Sequence, residues 1–445
     1  MLRIMQSDLT AKQNLIGFMH NTLNVSWRYD IGDAMIKVGI VGKTNAGKTT
    51  FFNAATLLSA EVSTYPFTTK TPNIGQTNVQ TICVCRELNL KDNPKNSTCI
   101  DGMRYIPIEL IDLPGLIKGS WMGKGLGTQF LSVASQADAI LHVVDASGSV
   151  DAEGKITRPG LGNPVIDIYD IEEELVLWFS KIIQKSIKKV TKRIEQSRVP
   201  FAEAFYEALS GIKVRREQVE KALEATDLSR KKVGSWTEKD FSKFAAEIRS
   251  LSKPTIIIAN KMDVAQAEKN FERLREEFRD TFVIPCSSEA ELALRRAEQK
   301  GIIKYLPGEE AFNVLDESKL TSEQKSALNY VQQRIMPKLI GTGVQSALNM
   351  CIFKLLGVNT VYPVEDASRL ADKRGNVLPD VFLLPRDSSV RDLAREIHTD
   401  LEKTMIHAVD ARTSLRLPVD YVLKDRDVIS IVAAAKKKHT TTKTV

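Results

Sequence analysis

The stretch GIVGKTNAGKTT, residues 39–50, decides how this chain reads. Its first half is the end of an apolar strand, and its second half sets Gly42 and Gly47 ahead of Lys48, Thr49 and Thr50. Glycine loses more backbone freedom on folding than any other residue, so a cluster of them needs a reason. Gly42-Lys43-Thr44-Asn45-Ala46-Gly47-Lys48-Thr49 fits G-x-x-x-x-G-K-[ST], set between a predicted strand and a predicted helix. Such a loop turns successive N–H groups, here from Thr44, Asn45, Ala46, Gly47 and the residues up to Thr50, toward one anion beside a positive helix end. Lys48 is expected to neutralise β- and γ-phosphates, and the Thr49 hydroxyl to meet Mg2+.

A phosphate loop does not select a base. The tetrapeptide NKMD at 260–263 does, standing at the end of the predicted strand KPTIIIAN. An aspartate such as Asp263 accepts from both N1–H and the 2-amino group of guanine, and adenine offers no such pair of donors. A buried carboxylate left unpaired by the wrong base discriminates strongly. Asn260 and Lys261 are expected to pack on the base and tie this loop to the phosphate loop. The segment CSSEAEL puts Ser287 and Ser288 where their backbone is expected to touch the guanine oxygen.

Between these motifs, ELIDLPGL (109–116) ends a strand in Asp112, with Gly115 three residues on. Asp112 is expected to reach Mg2+ through water, and the Gly115 amide to contact a γ-phosphate. Loss of that phosphate on hydrolysis releases the segment that follows, where Gly119, Gly123, Gly125 and Gly127 supply freedom to move. A further Mg2+ ligand is expected from YPFTTKTPNIG (65–75), through Thr68 or Thr69.

The chain has 445 residues, too many for one ordinary core. Its 43% hydrophobic and 26% charged content describe a globular protein, and no apolar run reaches the length of a membrane span. No secretory signal is read at the N-terminus, and a cytoplasmic location is expected. The five cysteines, at 83, 85, 99, 286 and 351, form no C-x-x-C pair and read as scattered thiols of a reducing compartment rather than a zinc site. No metal beyond Mg2+ is expected from the spacing of metal-binding residue types. His142 reads as a satisfied core histidine, and His398 as a packing or capping residue.

Near-continuous apolar strands separated by helical patterns predict a mainly parallel sheet with helices on both faces. The expected organisation is an N-terminal extension (1–34), an α/β nucleotide-binding domain (35–164 and 251–340), and a helical insertion (165–250). A connecting helix (341–356), a small α+β domain (357–434) and a basic tail (435–445) follow. Within the insertion, Ile171, Leu175, Trp178, Ile182, Ile187, Val190 and Ile194 form one long apolar helix stripe, broken by Pro200, so a hairpin is expected. A second helical block is expected over about 289–356. The formal net charge of +7 includes KIIQKSIKKVTKR (181–193) and the C-terminal KKKHTTTKTV. Basic segments beside a nucleotide site favour an RNA partner.

Taken together, these motifs resemble the Obg-related GTPases, in the YchF-like branch of archaea and eukaryotes with a C-terminal TGS domain. YPFTTKTPNIG and DLPGLIKGSWMGKGLGTQFL are similar to that family's switch segments, and LPRDSSVRDLAREIHTDL with VLKDRDVISI looks like a TGS module of β-grasp fold. The resemblance covers about 35–434. It implies a P-loop GTPase acting as a translation- or ribosome-associated switch, with rRNA or tRNA met through the TGS domain and the basic helix; separately, a monomer is expected. YchF proteins often carry N-x-x-E and prefer ATP, whereas Asp263 favours GTP. The alternatives are a YchF-like ATPase and an RNA-binding adaptor with a structural nucleotide site.

The position after D-x-x-G that holds a water-orienting glutamine in Ras-like enzymes holds Leu116 here. Intrinsic hydrolysis is therefore expected to be slow, roughly 10⁻⁴ to 10⁻² s⁻¹. Lys48, Thr69 and Gly115 are the expected catalytic contacts. Asn45 joins them through the resemblance, as the asparagine that ligates K+ in related translation GTPases; bracing of the turn is its other reading.

Overall fold

The computed structural model describes residues 35–58, 72–115 and 135–434. The 1–34 extension and the basic tail lie outside these residues.

The chain forms two compact units. The first comprises Ile36–Thr77 and Ile108–Cys351, and the second Asn78–Pro107 together with residues from Ile352 onward. Residues 78–107, inside the expected 35–164 segment, cluster with the second unit, while the strands Asn73–Ile82 and Met103–Asp112 run across that division.

In the first unit, β1 (Lys37–Val41) lies between β4 (Met103–Asp112) and β5 (Ala139–Asp145), parallel to both. Then come β6 (Thr255–Asn260), parallel to β5, and β7 (Val283–Pro285), parallel to β6. The full order is β2-β4-β1-β5-β6-β7, with β2 at Asn73–Ile82 and β3 (Thr98–Ile100) antiparallel to β4. β5 and β6 are buried at every position, which is why they read as unbroken apolar runs rather than alternating ones. Because β1, β4, β5, β6 and β7 are parallel, their C-terminal ends open on one edge, where ligands of open α/β sheets bind.

The insertion is four helices, not a hairpin: α3 (Pro164–Ser197), α4 (Phe201–Leu209), α5 (Arg216–Ala225) and α6 (Glu238–Ser252). Two earlier helices, α1 (Lys48–Thr56) and α2 (Val84–Glu87), precede them. Asn163 caps α3 by accepting from the Val165 amide, and Pro164 occupies the first turn, where its missing N–H costs nothing. Chain breaks at Pro200, around Gly211 and again before Thr237, whose side chain and that of Asp240 cap α6 reciprocally, divide what a single stripe suggests. The stripe residues of α3 lie in one apolar core with Phe205, Trp236 and Phe244, whose rings stand 5.1–5.3 Å apart.

The expected helical block after 289 is interrupted. After α7 (Ala267–Glu277) and α8 (Ser288–Gln299), a two-stranded ribbon, β8 (Ile303–Lys304) and β9 (Asn313–Val314), intervenes before α9 (Ser322–Tyr330), α10 (Met336–Leu339) and α11 (Val344–Asn349). Tyr305 and Phe312, buried beside the ribbon, supply the apolar contacts that fix it.

In the second unit, β10 (Val358–Val364), β11 (Phe382–Pro385), β12 (Met405–Asp410), β13 (Leu415–Leu417) and β14 (Asp427–Ala433) form a mixed sheet in the order β11-β10-β14-β12-β13. Helix α12 (Val390–Ile397) adds Val390, Leu393 and Ala394 to its buried side, with Ser389 and Asp392 capping it reciprocally. Helix α12 ends before His398, whose Nδ1 accepts from the Asp400 amide (3.0 Å) and starts α13 (Thr399–Thr404). This is the α/β sheet domain with an α+β partner that the sequence predicts.

The cysteines are free, as expected, but three that are scattered in sequence are close in space. Cys83, Cys85 and Cys99 come together beside Asp92, because the turn into α2 and the return along β3 bring separated thiols to one place.

Candidate functional site

The phosphate loop leaves β1 at Val41 and enters α1 at Lys48. Its glycines answer the question their cost raised. Gly42 has φ +147°, and a Cβ there would stand 2.1 Å from the Val143 carbonyl oxygen. Gly47 has φ +97°, and a Cβ there would stand 2.2 Å from Asn260 Nδ2. Neither position admits a side chain.

Lys48 is buried and donates to the Lys43 carbonyl (2.9 Å). Burial pulls its ammonium down to about 8, against the opposing pull of Asp112. The Thr49 hydroxyl donates to Asp112 Oδ2 (2.8 Å), as does Asn73 Nδ2 (3.2 Å). Burial raises the Asp112 carboxyl; Lys48 and the two donors work against that. Asp112 Oδ1 is buried with no hydrogen-bond partner among the described residues. An unpartnered carboxylate oxygen beside a threonine hydroxyl is a hard-oxygen donor set that fits Mg2+. Gly115 lies against the loop: a Cβ would meet Thr44 Oγ1 at 2.5 Å. Thr44 Oγ1 is also buried without a partner among the described residues. Thr68, Thr69, Leu116 and the glycines at 119–127 lie outside those residues.

The base-reading motif reaches the phosphate loop directly. Asn260 Nδ2 donates to the Ala46 carbonyl (3.0 Å), while its Oδ1 accepts from the amide and hydroxyl of Ser288 (3.1 and 2.9 Å). Asp263 Oδ1 accepts from the Ser287 hydroxyl (2.7 Å). The Ser287 amide donates to the Thr342 carbonyl (2.9 Å). Both serine amides are thus engaged within this loop and its neighbour, one on Asn260 and one on Thr342. Asn45, with φ +64°, donates through Nδ2 to the Gly154 carbonyl (2.9 Å) and so braces the loop.

Several residues escaped the sequence reading. Lys43 forms a buried ion pair with Asp167 of α3 (2.6 Å), linking the phosphate loop to the insertion. Burial pushes the Asp167 carboxyl up to about 6 in spite of Lys43. Asp145, at the end of β5, accepts from the amides and hydroxyls of Ser147 and Ser149 and from Lys261 Nζ (3.0 Å). Asp145 ends β5 beside Asn260, its partner in register. His142 is buried as expected, yet its Nδ1 has no hydrogen-bond partner among the described residues. Burial, aided by Arg249 and Lys48, pulls it down to about 3, so it is neutral at physiological pH.

A glycine-lined anion loop tied to an aspartate-bearing base loop is a guanine-nucleotide arrangement, and comparison with known proteins decides the family. An uncharacterized GTP-binding protein of Methanocaldococcus jannaschii is 45% identical over 402 residues, which span 90% of this chain and all of that one. The chain belongs to the Obg-like GTPases, in their YchF-like branch. Within this Obg-like protein, residues 258–366 match the family model described as Obg-like GTPase YGR210-like, G4 motif-containing domain. Residues 37–174 match that of the 50S ribosome-binding GTPases, and 373–433 that of the TGS domain. The crystal structure of a GTP-binding protein from Pyrococcus horikoshii OT3 is similar over 90% of this chain and 100% of its own, with a TM-score of 0.72 and 36% identity. The ribosome-binding ATPase YchF of Bacillus subtilis is 32% identical over 60% of this chain and 69% of its own length. The Obg-like chain is thus a GTP-binding protein with an Obg-type G domain and a TGS domain. Among the described residues, no helix is long and apolar enough to cross a membrane.

Proposed function

We propose that this Obg-like protein hydrolyses GTP slowly to GDP and phosphate and acts as a guanine-nucleotide switch on the ribosome. The observation that carries the reading is the Asn260–Ala46 hydrogen bond, which couples the base-reading loop to the phosphate loop. Asp263, held through one carboxylate oxygen by Ser287, then selects guanine by accepting from its N1–H and 2-amino group. Lys48 and the loop amides hold the β- and γ-phosphates, and the Gly115 amide senses the γ-phosphate. Thr49 and Asp112 would hold Mg2+, which when bound offsets charge on the phosphate oxygens. A water oxygen bonds to the γ-phosphorus as the bond to the β–γ bridging oxygen breaks and GDP departs.

With leucine at 116, no side chain at that position orients the water. The slow intrinsic rate leaves room for stimulation by a partner. The ribosome is favoured by the names of the matched family and of the Bacillus relative. Lys185, Lys188, Lys189 and Lys192 support it too, since all are exposed at three- and four-residue steps along α3. The proposal extends to K+, with the Asn45 carbonyl oxygen as ligand; equal turnover in KCl and NaCl removes that part.

The test is competition for a fluorescent guanine nucleotide, followed by single-turnover hydrolysis with and without ribosomes. Displacement by GTP but not by equal ATP, with ribosomes raising the rate, is expected. Equal displacement by ATP selects the ATPase alternative. No ribosomal stimulation selects the adaptor alternative.

A further inference from the structure

We propose that Cys83, Cys85, Asp92 and Cys99 bind one Zn2+ as a closed structural site within the second unit. Their ligand atoms all lie within 4.8 Å of one another. The Cys85 and Cys99 sulfurs are 3.6 Å apart, and the Cys83 sulfur is 3.3 Å from Asp92 Oδ2. A tetrahedral zinc with bonds of about 2.3 Å to sulfur and about 2.0 Å to oxygen sets these edges at about 3.8 and about 3.5 Å. The donors thus already stand near the corners of such a tetrahedron. All five cysteines are free, so no disulfide competes for the geometry.

The chemistry of the set selects the ion. Three thiolates and one carboxylate are soft donors with a single hard partner, which suit zinc and disfavour Mg2+ or Ca2+. Four protein ligands fill the coordination shell, as in structural rather than catalytic zinc sites. Three thiolates and a carboxylate around Zn2+ leave two negative charges in a largely buried place. Arg104, wholly buried, lies 3.0 Å from Asp92 Oδ2 and offsets one of them. The same guanidinium donates to Ser97 Oγ (3.0 Å) and to the Leu378 carbonyl (3.1 Å), so it orients the carboxylate from outside the ligand shell.

The site has an evident structural use. Cys83 and Cys85 flank the start of α2, Cys99 lies on β3, and Asp92 sits in the loop between them. That loop carries the backbone contacts to residues 377–381 of the same unit. The Asn93 amide donates to the Val377 carbonyl (2.8 Å), the Lys95 amide to the Pro379 carbonyl (2.7 Å), and Asn96 exchanges bonds with Val381 (2.9 and 3.1 Å). The loop itself has no regular secondary structure between α2 and β3. Zinc would staple both ends to one point.

The experiment uses the full chain, kept reduced and purified without chelator. Metal analysis should find one zinc per chain. Co2+ added to the chelator-stripped chain should give intense visible bands of tetrahedral cobalt with sulfur-to-cobalt charge transfer. The Cys85→Ser/Cys99→Ser variant should lose both the zinc and the charge-transfer band. Adding zinc to stripped wild-type chain should slow amide exchange at Asn93, Lys95 and Val381 at least tenfold. The wild-type cobalt titration decides alone if the variant does not fold. No zinc together with no tetrahedral cobalt spectrum overturns the proposal, as does an unchanged spectrum in a folded variant, or a Cys85–Cys99 disulfide in the reduced preparation.

Discussion

Replacing Lys43 with methionine removes the cation from a pair in which both side chains are under 10% exposed and the charged atoms are 2.6 Å apart. Asp167 would then be a buried carboxylate without its nearest positive charge. Removing one member of a buried pair costs about 3–5 kcal/mol, most of it the desolvation of the charge left behind. The pH dependence follows from the direction of the Asp167 shift. Its native carboxyl is pushed up to about 6 from the ordinary 3.8, so the folded state holds this proton more tightly than the unfolded state. Its contribution to stability is fully present below pH 3.8 and is lost as pH rises through 6, an effect of about 3 kcal/mol. Without Lys43 the native value climbs further, and the loss extends to higher pH. Lys43→Met should therefore be destabilised by about 3–5 kcal/mol at pH 8 and regain most of that below pH 6. The double variant Lys43→Met/Asp167→Leu should lie within about 1 kcal/mol of wild type at either pH, since an apolar pair replaces the ions. Urea unfolding at pH 5.5 and 8, followed by fluorescence of Trp178 and Trp236 in the core that α3 builds, measures all three. A single variant losing less than about 1 kcal/mol at pH 8, or a double variant as weak as the single, refutes the reasoning.

Gly47→Ala should weaken guanine-nucleotide binding at least tenfold in calorimetry while the helical circular dichroism persists, because the added carbon displaces Asn260 from the loop. Asp263→Ala should erase most guanine-over-adenine preference in competition binding. Two charge-assisted hydrogen bonds at about 1.5–3 kcal/mol each correspond to about 10²–10⁴-fold. His142 has its native value depressed to about 3 from 6.5, so the unfolded state binds this proton more readily. Its contribution is present above pH 6.5 and is lost as pH falls toward 3, about 5 kcal/mol in all; His142→Phe should flatten that part of the acid unfolding profile by a measurable amount.

The site was legible wherever its chemistry is local. Gly42, Gly47 and Lys48 sit within one loop whose backbone admits few residue types, and NKMD stands at the end of an apolar run. Ser287 and Ser288 show the limit of that reading. Their place after the last strand was right, yet which donor each spends on Asp263, Asn260 or Thr342 depends on loop packing. The insertion shows the same limit at the level of elements. An apolar stripe marks α3, but the number of helices returning over it is set by breaks whose effect depends on the core they fold around.

The amino-acid order alone determined the nucleotide class, the parallel sheet and the presence of a second α+β unit. Each follows from short-range rules: which residues tolerate positive φ, which runs are apolar on both faces, which ends carry caps. Only the tertiary structure decided that Lys43 meets Asp167 across 124 residues and that three separated thiols gather around Asp92. Those meetings arise because long-range contacts are fixed by how whole elements pack. A charge or a sulfur carries no mark in sequence of the partner that packing will bring to it.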